Sequence, residues 1–237
     1  MNITVIPAAK DINESKIKDK IVLVIDVLRA TSTIATALDN GAKKIIPVLN
    51  VQEAIDYKKS NPNYKIGGER NGIKQPGFDF GNSPLEYKEK IVKNETIVIT
   101  TTNGTRAINH CKSAKKIILL SFLNLNSVNK IVQFEEDIVI ICAGTNDLFS
   151  IDDGVCAGAL IYNLRKNNNC KLGDMGLACL TLYENTRDNL HNLISKCHHY
   201  KVLENIGCQF DLEYCLKENT LNIVPIYKDG YFIKNEI

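Results

Sequence analysis

Short apolar runs alternate along this chain with stretches of helical period. The apolar runs are Ile3–Ile6, Ile21–Val27, Lys44–Leu49, Tyr64–Gly67, Thr96–Thr101, Lys116–Ser121 and Ile138–Ala143. Their length and apolar content predict strands. Between them, apolar residues recur at helical spacing over Ser32–Asn40, Val51–Ser60, Pro84–Val92, Thr105–Ser113, Ser127–Phe134 and Asp152–Asn163, which predicts helices. This alternation predicts an α/β fold with a largely parallel or mixed sheet flanked by helices. Such sheets gather ligands at the carboxyl ends of their strands. Three of the predicted strands run into polar segments at that end.

Two departures from the alternation carry information. Arg70–Pro84 holds too many glycines and prolines for regular structure, and long irregular loops in compact domains are often functional. Phe78 and Phe80 would pin this loop to the body and leave Asp79 and Asn82 facing a site. The plain alternative is a structural loop capped by Asn82 or Ser83 before Pro84. After Cys170, Leu172–Leu182, Arg187–Lys196 and Phe210–Lys217 read as helices. Leu221–Tyr227 and Gly230–Ile233 read as a closing strand pair around Lys228–Asp229. The expected organisation is one domain over 1–237, or two tightly joined lobes: a core to about residue 168, then a helical cover with the closing strands. Ile21–Asn50 and Thr96–Asn124 also echo each other as strand, polar turn, helix and an Ala-Lys-Lys-Ile-Ile-like segment.

Composition narrows the class. The 237 residues are 44% hydrophobic and 24% charged, enough to bury a globular core. A net charge of +2, with scattered lysines, argues against a nucleic-acid or membrane partner. The N-terminus lacks a basic stretch followed by a long apolar one and reads as the first strand of a cytoplasmic protein. The eight cysteines contain no C-x-x-C pair, so buried, reduced thiols are expected rather than a zinc site. His110, His191, His198 and His199 lie on charged, helix-like segments and read as ordinary surface or core histidines.

Arginine usage points to an anionic ligand. Of 29 lysine and arginine residues only five are arginine: Arg29, Arg70, Arg106, Arg165 and Arg187. The arginine fork binds phosphate, carboxylate or sulfonate through two parallel hydrogen bonds, which lysine cannot copy. Three candidate anion cradles follow. Arg29 stands with Thr31, Ser32 and Thr33 at a strand-to-helix junction. Thr100, Thr101, Thr102, Asn103, Gly104 and Thr105 lead into Arg106. Gly144 and Thr145 follow a third strand. Helix starts with free N–H groups suit such anions. Asp26, Glu69, Asp79, Asp152 and Asp153 are the candidate carboxylates, with oxygen donors of the kind magnesium prefers. Asp152 and Asp153 read equally well as acidic residues of a helix start. Walker A, G-x-S-x-G, G-x-G-x-x-G and Asp-x-Asp signatures are absent.

The stretches Ile25–Thr33, Gly67–Gly72, Gly77–Pro84, Thr100–Arg106 and Cys142–Thr145, with Asp152–Asp153, Cys156–Gly158, Phe210–Asp211 and Val224–Pro225, resemble the 2-phosphosulfolactate phosphatase family. The likeness runs from about Val22 to the C-terminus. One departure is the turn Asn146–Ser150, where the family usually carries glycine and where Asp147 adds charge. The resemblance implies a magnesium-dependent phosphatase that converts 2-phospho-3-sulfolactate to 3-sulfolactate and phosphate, a step toward coenzyme M. Such a substrate carries phosphate, carboxylate and sulfonate, which Arg29, Arg70, Arg106 and Arg187 could divide.

The expected mechanism places Mg2+ on Asp26 and a second carboxylate, Glu69 or Asp152. Arg29 and the helix start at Thr31–Thr33 neutralise the phosphate, with Arg106 as a further catalytic arginine. Direct attack by water and covalent attack by Asp26 are both left open. A phosphatase for another phosphorylated hydroxy acid, and a non-catalytic anion-binding protein, are the alternatives. The partner is a small anionic molecule, and a homo-oligomer is left open.

Overall fold

The computed structural model describes residues 1–235. Eleven strands form one mixed sheet: β1 (Asn2–Ile6), β2 (Ile21–Ile25), β3 (Lys44–Pro47), β4 (Lys65–Arg70), β5 (Ile73–Lys74), β6 (Thr96–Thr100), β7 (Lys116–Leu120), β8 (Asp137–Cys142), β9 (Lys171–Leu172), β10 (Pro225–Lys228) and β11 (Tyr231–Lys234). Their order is β5-β4-β6-β3-β11-β10-β7-β2-β8-β1-β9. The helices are α1 (Glu14–Ile17), α2 (Ala30–Asp39), α3 (Val51–Ser60), α4 (Glu89–Val92), α5 (Gly104–His110), α6 (Leu125–Val132), α7 (Ile151–Arg165), α8 (Asp174–Thr186), α9 (Leu190–Ile194), α10 (His198–Asn205) and α11 (Gln209–Cys215).

Strand β2 shows why the sheet is buried on both sides. All five of its residues are buried, and they alternate between two apolar layers. Ile21, Leu23 and Ile25 pack with Val128, Leu160, Leu180, Leu203 and Leu212 on one side. Val22 and Val24 pack with Ile34, Leu38, Ile97 and Ile108 on the other. Such two-sided burial is the rule for parallel strands flanked by helices.

Two blocks of parallel strands, β4-β6-β3 and β7-β2-β8-β1, are joined by the antiparallel pair β10-β11. Each junction rests on one residue pair, Ile226 opposite Ile118 and Phe232 opposite Ile45. The closing strand pair thus lies in the middle of the sheet. The echoing segments also acquire a structural meaning. Their first strands, β2 and β6, lie in different blocks, and each continues through a helix into the other block.

Several expected boundaries shift for visible reasons. β2 stops at Ile25, two residues early, because side chains capture the next two amides: Asp26 N donates to Thr31 Oγ1 and Val27 N to Asp153 Oδ1. α2 begins at Ala30, so Thr31–Thr33 form its first turn. The expected helix Pro84–Val92 splits into a 3-10 turn at Pro84–Glu86 and the short α4, with Lys88 extended between them. The glycine-rich loop contains a small hairpin, β4-β5, turning on Asn71 and Gly72, whose φ values are +54° and +78°. Asn-Gly is the favoured pair for such a two-residue turn. The helix expected over Arg187–Lys196 becomes a 3-10 turn followed by α9. The short strand β9 and helix α10 were not foreseen.

Candidate functional site

The loop Asp26–Arg29 joins β2 to α2 and forms the centre of a cleft. Asp26 is buried, and its Oδ1 accepts a hydrogen bond from Ala30 N at 3.1 Å. Its Oδ2 lies against Gly104 at the start of α5. A Cβ at position 104 would come within 2.5 Å of that oxygen, so only glycine allows this approach. The Leu28–Arg29 peptide bond is cis.

A small cavity of about 20 Å³ lies beside Asp26, walled also by Arg29, Glu69, Asn82, Asn103 and His199. That volume holds roughly one water molecule. Arg29, Gly72 and Asn82 also line a second cavity of about 330 Å³, which extends to Lys74, Ser83 and Asp211. Small-ligand pockets begin near this size, roughly 300 Å³. Residues from five separated stretches of chain thus meet in two adjoining spaces.

Each carboxylate has a distinct setting. Burial pushes the Asp26 carboxyl up to about 6. His199 and the Ala30 amide pull it down, while the nearby Asp152 and Glu69 push it further up. Glu69 accepts from Thr102 N and Gly72 N, both at 2.7 Å, and from Thr102 Oγ1 at 3.1 Å. It thereby knits the β4-β5 turn to the β6-α5 turn. Asp152 accepts from Ser150 Oγ at the start of α7. Asp153 accepts from Val27 N at 2.9 Å and Gly144 N at 3.0 Å. Burial, with Asp152 and Asp26 nearby, raises its carboxyl well above the usual range. Its bonds make it a brace between the ends of β2 and β8.

Arg29 is buried and held in place by the C-terminal helices. Nη1 donates to Asp211 Oδ2 at 2.6 Å and reaches Cys208 Sγ at 3.2 Å; Nη2 donates to Gly72 O at 2.9 Å. Burial opposes its charge, but the bond to Asp211 prevails and its pKa is raised. Ser83 Oγ fixes the other Asp211 oxygen at 2.5 Å.

The three expected anion cradles fare differently. At the first, the hydroxyls turn away from the cleft: Thr31 Oγ1 donates to Asp26 O and Leu120 O, Ser32 Oγ to Val27 O, and Thr33 Oγ1 to Asn82 O. At the second, Thr101 and Thr105 bond each other reciprocally and Thr102 serves Glu69, leaving Asn103 on the cavity wall. At the third, Gly144 N goes to Asp153 and Thr145 N closes a tight turn with Leu148 O, so neither amide faces a ligand. Asn146 and Asp147 form that turn with positive φ, doing the work expected of a glycine.

The other arginines are dispersed. Arg106 pairs with Asp147, and its Nε is buried without a hydrogen-bond partner among the described residues. Arg70 donates to Thr100 Oγ1, Leu49 O and Glu69 O. Arg187 lies over Tyr162, near the far end of α7 from Asp152, and so stands outside the cleft. Asp79 accepts from Ile66 N and Lys58 Nζ, which ties its loop to β4 instead of directing it to the cleft.

His199 is the residue the sequence reading missed. It lies on α10, and its Nε2 donates to Leu28 O at 2.5 Å. A carbonyl can only accept, so the proton sits on Nε2 and Nδ1 is left as the second site. Only the packing of α10 over the Asp26 loop brings it there; no spacing signal in the sequence marks it. Asp211 owes its partnership with Arg29 to the same cover.

No group of three or more His, Cys, Asp or Glu among the described residues is drawn together as a metal cage. Asp26 and its carboxylate neighbours nevertheless suit magnesium. The ion needs only one or two carboxylates. Burial is the main cause of the raised Asp26 carboxyl, with a smaller contribution from Asp152 and Glu69, and a cation beside it would offset both.

A family model described as 2-phosphosulpholactate phosphatase matches residues 6–230. The chain belongs to this family of phosphoric monoester hydrolases. Among similar proteins is a probable 2-phosphosulfolactate phosphatase of Clostridium novyi (strain NT), 47% identical over 227 residues, covering 95% of this chain and 96% of the relative. Another, of Clostridium tetani (strain Massachusetts / E88), is 47% identical over 232 residues, with coverage of 97% and 99%. A third, of Clostridium botulinum (strain Eklund 17B / Type B), is 43% identical over 238 residues, with coverage of 99% and 100%. No helix among the described residues is long and apolar enough to cross a membrane.

Proposed function

We propose that this member of the 2-phosphosulpholactate phosphatase family hydrolyses 2-phospho-3-sulfolactate to 3-sulfolactate and phosphate, with Mg2+, on the route toward coenzyme M. The observation that carries the reading is Asp26. It is a buried carboxylate at the end of β2, on the wall of a water-sized space that shares Arg29, Gly72 and Asn82 with a neighbouring cavity large enough for a three-carbon anion. Asp26, with Glu69 or Asp152, would hold the magnesium, which neutralises phosphate charge and polarises the ester when bound. Arg29, fixed by Asp211 and Gly72, offers an oriented cation to the bound anion without reorganising. His199, with Nε2 spent on Leu28 O, keeps Nδ1 to hold or pass a proton at the cavity wall. Leu28 and Leu203 help wall the inner space from water.

The test is phosphate release from 2-phosphosulfolactate, phospholactate and phosphoglycolate, each with Mg2+ and with chelator. The expected result is metal-dependent release that favours the sulfonated substrate. Equal release from all three would overturn the substrate assignment. Undiminished release in chelator would overturn the metal.

A further inference from the structure

We infer that Asn82 is a substrate-contacting residue whose side-chain amide hydrogen-bonds an oxygen of the phosphoryl group. This rests on the phosphatase reading above. Asn82 is 5% exposed, and its Oδ1 is buried with no hydrogen-bond partner among the described residues. Buried side-chain polar atoms in native proteins are paired with few exceptions, and leaving one unpaired destabilises the fold. The loop around it, by contrast, is held on either side. Asn82 O accepts from Thr33 Oγ1 at 2.8 Å, Gly81 N donates to Glu86 Oε2 at 2.9 Å, and Ser83 Oγ donates to Asp211. The loop therefore presents an amide in a fixed place and gives it nothing to bind.

Its location shows where the amide could meet a ligand. Asn82 lines both the water-sized space beside Asp26 and the larger cavity, so it stands at their junction. A phosphoryl group at Asp26 whose remainder extends into the larger space lies against that junction, with Arg29 on the same wall. The oxygen and nitrogen of an asparagine amide exchange places by a half-turn. An anionic oxygen at the junction selects the orientation with Nδ2 inward as donor. Asn82 is then an uncharged donor beside Arg29, suited to a group that already meets one cation.

The role makes activity and stability move apart. Removing an amide that bonds nothing in the free protein leaves the melting temperature unchanged or higher, whereas removing a structural amide lowers it. Asn82→Ala and Asn82→Ser should keep or raise Tm, lower kcat/KM on 2-phosphosulfolactate by about 10- to 100-fold, and weaken the thermal protection given by inorganic phosphate. Asn82→Asp, which sets a carboxylate against the anion, should abolish that protection. Protection by 3-sulfolactate, which lacks the phosphoryl group, should persist in the alanine and serine variants.

Wild-type kinetics with intact phosphate protection in these variants would overturn the inference and leave the phosphatase reading standing. So would a loss confined to 3-sulfolactate protection, or a fall in Tm that matches the fall in activity. If the wild type hydrolyses no 2-phosphosulfolactate, the functional reading fails; loss of phosphate protection in the variants would then still establish the Asn82 contact.

Discussion

At the scale of single residues, Asp26 sets function against stability. Burial is the largest influence on it and lifts its carboxyl to about 6, against about 3.9 in an unfolded chain. Between pH ~4 and about 6 the folded protein retains a proton that the unfolded chain has released. Stability therefore falls as pH rises through that window, and the loss, of the order of 3 kcal/mol, is complete above it. Asp26→Asn removes the titration. In metal-free buffer the Tm of the variant should exceed that of wild type by a margin that grows from pH 4 to 6 and then levels off. A margin independent of pH would show that this carboxyl titrates normally. The same substitution should lower kcat on the order of 10³-fold or more, because it removes the charge that any version of the chemistry requires. Retained turnover would place the reacting centre elsewhere.

Between elements, two acidic residues hold the cleft together by different means. Asp153 lets α7 clamp the ends of β2 and β8 through two buried amides. Asp153→Ala strands both donors and should destabilise by roughly 2–6 kcal/mol, taking about 1–3 for each unpaired group; urea unfolding measures it. A loss below half a kcal/mol would mean that water replaces the carboxylate. Asp211 belongs to α11 and neutralises a buried arginine. Removing one partner of a buried pair costs about 3–5 kcal/mol because the other charge is left uncompensated. Asp211→Ala should therefore lower Tm strongly, while Asp211→Asn, which keeps an oxygen for Arg29, should lower it less. Equal losses would indicate that charge, and not the hydrogen bond, holds α11 in place.

At the scale of the molecule, the β10-β11 hairpin joins two blocks of parallel strands that otherwise present the open edges of β3 and β7. Such edges invite aggregation when exposed. Phe232 is fully buried at this joint, opposite Ile45 and against Tyr227. Phe232→Ala should cost about 3–5 kcal/mol and promote association on mild heating, read by denaturant unfolding and light scattering. A loss under 1 kcal/mol would show that the blocks cohere without the hairpin. The two halves also explain the sequence echo: β2-α2-β3 and β6-α5-β7 cross between blocks, so β2 comes to lie beside β7 and β3 beside β6.

By itself the sequence determined the class of fold, the family, and the residues at the polar strand ends. Those properties are local. Apolar periodicity reports which faces are buried, and Asp26 lies next to the β2 run that places it. The scarcity of arginine drew attention to Arg29, but could not say that Asp211 would hold it, since 182 residues separate the two. The hydroxyls of Thr31–Thr33 show the limit from the other side. Their composition suits an anion, yet neighbouring carbonyls lie within reach and take the protons first. His199 and Asn82 gain their positions only when α10 and the 70–84 loop close over the β2-α2 junction. A histidine on a charged helix looks the same in sequence whether or not a cavity faces it, and for Asn82 the sequence offered a helix cap as readily as a residue facing a site. Tertiary packing alone decides which polar groups find partners in the protein and which are left to bind a ligand.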